Sequence, residues 1–292
     1  MQAVFFGPRG MRAGWRMAMY LAVFFLFLFV CQALGSLSGT RVIAPARMTP
    51  LILFEGEAAQ ALSAIAAALV MSRMESRPFA EYGMPWKGAF AARFWQGALW
   101  GMGEITVLVL LIKALGGYSF GAVALGRTDM VRFALIYLVL FLTVGVYEEF
   151  FFRGYMQFTG ASGMGFWPAA LLLSAVFGAV HLTNPGEGLV GAAGVFAIGM
   201  FFCFTLRRTG SLWFAIGAHA AFDFGETYLY SVPDSGLILP GQLFSASLHG
   251  PRWLTGGSVG PEGSVVSFLL LGLMFVLFDR LYPAKASTQP LL

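Results

Sequence analysis

The sequence predicts an all-α integral membrane protein, with about eight transmembrane helices around a buried polar cavity open to the cytoplasm. Three observations predict this class. Of the 292 residues, 58% are hydrophobic and 11% charged, against about a quarter charged in an ordinary soluble domain. Apolar stretches near the roughly 20 residues needed to cross a bilayer recur along the chain. Several ionisable residues then lie inside those stretches, where an ionised group costs from about 2.5 to over 10 kcal/mol. Such groups must face protein or a water-filled cavity.

The first stretch, 16–35, follows Arg9, Arg12 and Arg16. It has the outline of a signal peptide, but it is too long for an h-region and no A-x-A site follows, so a retained span is expected. The second, 50–71, carries Glu55, Glu57 and Gln60 near its start, and the third, 92–115, contains Glu104. The fourth, 131–157, holds the run "EEFFFR". The fifth and sixth, 166–183 and 188–206, are separated by "TNPGEG", a turn signal. The seventh and eighth are 211–230 and 264–281. Between them, 231–263 reads as an irregular loop and a partial lid. This divides the chain into N-terminal helices over 1–125, a five-span core over 126–283 and a cytoplasmic tail over 284–292. No internal repeat is visible, which argues against an inverted-repeat transporter.

Lys and Arg set the orientation. With the N-terminus inside, twelve fall on the cytoplasmic side: Arg9, Arg12, Arg16, Arg73, Arg77, Lys87, Arg93, Arg153, Arg207, Arg208, Arg280 and Lys285. Six fall outside: Arg41, Arg47, Lys113, Arg127, Arg132 and Arg252. Both termini are then cytoplasmic. This bias accounts for the net charge of +4 without a nucleic-acid partner. The expected partners are membrane lipid and a protein or peptide substrate at the membrane. Cys31 and Cys203 lie in apolar runs and read as lipid-facing or packed thiols.

The intramembrane ionisable groups form three patterns: Glu148-Glu149-x-x-x-Arg153, Phe177-x-x-x-His181 and His219-x-x-x-Asp223. Residues four apart share a helix face, so Glu149 can pair with Arg153 and His219 with Asp223. Glu148 is rotated by about 100° from Glu149 and points elsewhere. At about 1.5 Å per residue, Glu148 lies roughly 14 Å deep from the cytoplasmic end, His219 about 12 Å and His181 about 22 Å. Convergence of three helices at similar depth is what a buried site requires. In a low-dielectric pocket Glu148 is suited to act as general base near neutral pH. Two carboxylates in different surroundings divide acid and base roles, and Glu149 would stay ionised beside Arg153. A histidine beside a carboxylate can donate toward a developing oxyanion. The chain has no H-E-x-x-H and no G-x-S-x-G. Ser162 in "GASG" is expected in a short loop away from any histidine, and Glu104 lacks a partner for an aspartyl dyad.

"EEFFFR", "FGAVH" and "HAAFD" resemble the E-E-x-x-x-R, F-x-x-x-H and H-x-x-x-N/D motifs of the CAAX-protease and bacteriocin-processing family, also called CPBP or Abi. The segment "RRTGSLWFAIGAHAAFDF", 207–224, is similar to that family's lead-in to its third motif. The resemblance covers about 145–225. It implies a membrane endopeptidase, with a bacterial inner (plasma) membrane as the expected location. In it Glu148 and His181 would activate water, while His219 and Asp223 would stabilise the oxyanion or bind metal. Members have been described both as zinc proteases and as metal-independent glutamate proteases. The preferred mechanism needs no cofactor. Zinc, held by Glu148, His181, His219 and Asp223, is the alternative. Asp223 stands where the eukaryotic type has Asn, which weakens an amide-donor oxyanion hole and favours metal somewhat.

Plainer readings stand beside these. Glu149 and Arg153 can be a structural ion pair, and His181 can cap helix-end carbonyls. Phe177 is expected to pack around the site, and the run 150–152 to face lipid or line a cavity wall. Glu55, Glu57 and Glu104 have no assigned chemistry, and His249 no role. As a whole, the chain could be a catalytically silent scaffold or immunity factor, or an ion carrier. The last is disfavoured because polar residues do not line a path across the bilayer.

Overall fold

The computed structural model describes residues 2–8, 10–37, 48–184 and 186–284. Arg9, Arg41, Arg47 and Lys285, used for the orientation, lie outside the described residues, as do Pro185 of the "TNPGEG" turn and the tail beyond residue 284. Every one of the eight expected stretches is largely helical. Helix α1 is Ala13–Leu37, α2 Pro50–Met74, α3 Ala92–Ala114 and α4 Arg127–Glu149. A π-helical turn, Phe150–Tyr155, continues α4 into α5, Met156–Met164. Then follow α6 Phe166–His181, α7 Leu189–Thr209, α8 Trp213–Asp223 with a second π-helical turn over Phe224–Leu229, and α9 Val265–Leu281.

Local signals explain several ends. Pro50 opens α2 where no N–H is needed, and Thr49 Oγ1 accepts from Ile52 N. Ser264 caps α9 in the same way, accepting from Ser267 N. Gly165, at φ +90, makes the break between α5 and α6. The fourth span therefore does not end near 157, because the π-helical turn carries the chain on to Met164. Ser162 is helical, where a loop was expected, and donates to Thr159 O.

Among the described residues, five helical stretches are long and apolar enough to cross a membrane: Ala13–Ser36, Pro50–Met74, Ala92–Ala114, Arg127–Met164 and Leu189–Thr209. Helices α6, α8 and α9 are shorter. Exposed apolar side chains such as Phe25, Leu26 and Phe29 on α1 suit a lipid-facing surface.

Lipid is as apolar as leucine, so helices associate by close packing rather than by a hydrophobic drive. The contact between α3 and α8 shows this. A Cβ on Gly101 would fall 1.9 Å from Ala218 O, and one on Gly217 2.1 Å from Phe94 O. Only glycine lets the two backbones touch, and the touching residues flank His219. A second core joins Tyr20 of α1, Ala64 of α2, Phe150 of the π-helical turn and Phe177 of α6. The loop 231–263 is anchored rather than free. Ser119 pairs with Ser247 in a short antiparallel ladder, and Val123 pairs with Phe244.

Candidate active site

A cavity of about 710 Å³ lies among the helices. Leu21, Phe24, Phe151, Val195 and Phe202 are among its apolar lining residues. Its polar wall includes Glu148, His181, His219 and Asp223, so the four residues expected to do chemistry reach one space. Among them the close contacts centre on His219. Its Nδ1 lies 2.9 Å from Glu149 Oε1, and its Nε2 lies 3.6 Å from Glu148 Oε2 and 3.4 Å from Asp223 Oδ2. The i, i+4 relation within α8 brings His219 and Asp223 together. Glu148 and Glu149, adjacent at the end of α4, approach the same imidazole from its two sides.

The expected Glu149–Arg153 pair forms, with Nη1 donating to Oε1 over 3.1 Å. Both side chains are buried, at 0% and 1% exposure. Glu149 Oε1 thus accepts from Arg153 and His219 at once, which makes Glu149 part of the site rather than only a neutraliser. Phe177 does more than pack. The Arg153 guanidinium sits 4.1 Å from its ring centre, and the His181 ring meets it edge-on at 4.7 Å. Arg153 Nη2, Glu149 Oε2 and Ser174 Oγ have no hydrogen-bond partner among the described residues.

His181 Nδ1 lies 2.8 Å from Phe177 O. A carbonyl oxygen only accepts, so Nδ1 carries the proton and Nε2 of the neutral ring is an acceptor. The helix-end role and the catalytic role use different nitrogens and are compatible.

The phenylalanine run does not face lipid. Phe150, Phe151 and Phe152 are all buried, with Phe151 and Phe152 on the cavity wall. The cavity wall is one of the two expectations for this run, and the turn that carries it, kinked at Gly154, changes the angular spacing of successive side chains. Any side chain on Gly154 in this turn would meet the Phe150 ring at 2.8 Å.

Several polar cavity residues had no assigned chemistry in the sequence, although Glu104 was open to joining a polar cavity and does so. Glu57 and Gln60 of α2, Glu104 of α3, and Asp234 and Glu262 of the loop region all line the cavity. Glu226 is also buried, in the second π-helical turn. One signal was present. Glu226 follows His219 by seven residues and Asp223 by three, which is a continuing helix face. Burial pushes the Asp234 carboxyl up to about 6, opposed by the Thr227 hydroxyl that donates to it. It pushes Glu262 up to about 8, helped by the nearby Asp234 charge. At the other end of the site Glu75 accepts from Arg16, Tyr82 and Tyr155, tying α1 and α2 to the π-helical turn after Glu149.

The residues expected to hold zinc do not fit a compact metal site as arranged. Among the described residues, the three whose ligand atoms lie within 4.8 Å of one another are Glu226, Asp234 and Glu262. In the expected set Glu149 holds His219 Nδ1 and a carbonyl holds His181 Nδ1, so the Nε2 atoms are the nitrogens left to face a partner.

Apolar spanning helices with an imidazole clasped by carboxylates in an internal cavity define an integral membrane protein with a buried acid–base site. Residues 130–225 match the family model described as Type II CAAX prenyl endopeptidase Rce1-like. The matched segment encloses all three motifs, and it is the family that those motifs resemble. Nothing among curated proteins matches the chain. The family match points to an intramembrane protease of CAAX type.

Proposed function

We propose that the protein is an intramembrane endopeptidase that hydrolyses a peptide bond of a membrane-associated, lipidated or CAAX-like protein or peptide. Glu148 takes a proton from a water held between its carboxylate and His181 Nε2. The resulting hydroxide adds to the scissile carbonyl. The oxyanion that forms is met by a proton on His219 Nε2, which Glu149 supports from the opposite side of the ring. Asp223, an acceptor where the eukaryotic type has an amide, orients His219 rather than donating itself. Glu148 then returns the proton to the departing amine, so one water is consumed and one peptide bond is broken. The apolar lining receives the lipid-bearing end of the substrate. The Lys and Arg bias supports cytoplasmic termini and a cavity opening to the cytoplasm in a bacterial inner membrane.

The observation that carries this reading is His219 held between Glu149 on one nitrogen and Glu148 with Asp223 on the other, in the wall of a cavity lined largely by apolar side chains. The test uses purified protein in detergent and a prenylated, membrane-anchored peptide. Glu148→Gln should abolish cleavage while leaving the melting temperature near that of the parent. Full biological activity in Glu148→Ala, His181→Ala and His219→Ala alike would leave only a silent scaffold or immunity factor.

A further inference from the structure

We propose that Glu226, Asp234 and Glu262 bind a hard divalent cation, calcium or magnesium, which ties the 231–263 loop to the helix that carries His219 and Asp223. The three carboxylates come from three places: the π-helical turn after α8, the loop itself, and the turn Pro261–Gly263 that leads into α9. One oxygen from each lies within 4.8 Å of the other two. Glu226 is the decisive member. Its side chain is fully buried, and among the described residues neither carboxylate oxygen has an amide, hydroxyl or cationic donor; the group it meets is the neighbouring Glu262 carboxyl.

The other two acids are held in place from outside the cluster. Thr227 Oγ1 donates to Asp234 Oδ2 over 2.9 Å, and Ser235 N donates to Glu262 Oε1 over 2.6 Å. These contacts aim the carboxylates without neutralising them. Among the described residues no Lys, Arg or His forms an ion pair with any of the three. Three neighbouring carboxylates, Glu226 buried and Asp234 and Glu262 half-buried, repel one another without a cation and cannot all be ionised. A divalent ion removes that conflict.

The donor set selects the ion. All donors are carboxylate oxygens, which suit calcium, magnesium or manganese, whereas zinc sites draw on imidazole and thiolate. Bidentate binding and water complete the shell of such ions. The consequence reaches the site, since Glu226 lies three residues beyond Asp223. A cation here fixes the end of α8 and the loop that walls the cavity. The proposal does not depend on the endopeptidase reading.

The test begins with full-length protein in detergent, stripped by a chelator and dialysed. Calcium or magnesium is then added to about 5 mM, above the millimolar affinity of weak extracellular calcium modules. The melting temperature should rise by on the order of 5 °C at saturating ion. Titration calorimetry should show saturable heat, and proteolysis within 231–263 should slow. The larger shift identifies the preferred ion. Glu226→Gln and Glu262→Gln should each lose the shift, and either variant suffices if the other does not fold. No shift with either ion, or an undiminished shift in both variants, overturns the proposal. So does a melting temperature that responds to proton concentration but not to cations, which would mean a shared proton. Loss of peptidase activity with the cation shift intact would count against the proposed reaction and not against this site.

Discussion

Glu149→Gln should destabilise the protein strongly, because it strands Arg153. The side chain of Arg153 is 1% exposed, and Glu149 Oε1 at 3.1 Å is its ion-pair partner. Removing one partner of a buried pair costs about 3–5 kcal/mol. The amide oxygen of Gln retains one neutral hydrogen bond, which returns about 1 kcal/mol. The Phe177 face at 4.1 Å remains in both proteins and does not change the difference. The expected loss is therefore about 2–4 kcal/mol. At roughly 3 °C per kcal/mol for a chain of this size, the melting temperature should fall by about 6–12 °C. A double-mutant cycle separates this cause from general damage. Glu149→Gln with Arg153→Met removes both charges, so it should melt above Glu149→Gln alone, with a coupling of at least about 1.5 kcal/mol. Melting curves in one detergent, followed by tryptophan fluorescence, supply all four corners. A single variant within about 2 °C of the parent, or a double variant equal to the sum of the singles, would refute the view that this pair is one electrostatic unit.

Gly101→Ala should fail to assemble or lose most of its folded yield on a size-exclusion profile, since the new Cβ would lie 1.9 Å from Ala218 O and must push α3 from α8. Normal yield and activity would show that the two helices have room to separate. In chelated protein, stability should fall as pH rises from the ordinary carboxylate range toward about 8. Glu262 keeps its proton up to about 8 when folded but loses it near 4 when unfolded, so the native state binds more protons in that window and each rise in pH favours unfolding. Glu262→Gln should flatten that part of the melting profile, and an unchanged slope would contradict the burial of this carboxyl. Peptidase activity should survive complete removal of zinc, checked by metal analysis. Loss on chelation with recovery by zinc alone would make the metal-bound alternative the better reading.

Much of the fold was legible because a bilayer constrains sequence more than water does. Apolar length marks a helix whatever its packing, and all eight stretches became helical. The Glu149–Arg153 and His219–Asp223 pairs were legible for a similar reason, since spacing of four fixes a shared face. What could not be read was how those faces turn against one another. No local pattern tells that Glu149 reaches past its own arginine to His219 Nδ1, a contact 70 residues distant in sequence. Nor does composition reveal that Asp234 and Glu262, taken as parts of an irregular loop, fold back to the cavity. Glu57 was passed over because a carboxylate near the start of a span looks like a solvated end. It becomes a cavity acid only when α2 packs against α4.

The two π-helical turns, the first kinked at Gly154, border the site where the side-chain spacing of a regular helix no longer holds. Each begins directly after an acidic motif residue: Phe150–Tyr155 after Glu149, and Phe224–Leu229 after Asp223. A π-helical turn widens the i→i−4 ladder by one residue, so the side chains beyond it are displaced around the axis. In the first turn this swings Phe151 and Phe152 onto the cavity and still leaves Arg153 against Glu149. In the second, Glu226 continues the face begun by His219 and Asp223, seven and three residues before it, and is fully buried. Regular helices supply the apolar surface that a membrane demands. The ends of α4 and α8 gather Glu148, Glu149 and Asp223 around His219, and the first irregular turn adds Arg153 to Glu149, so these charged groups answer one another rather than lipid.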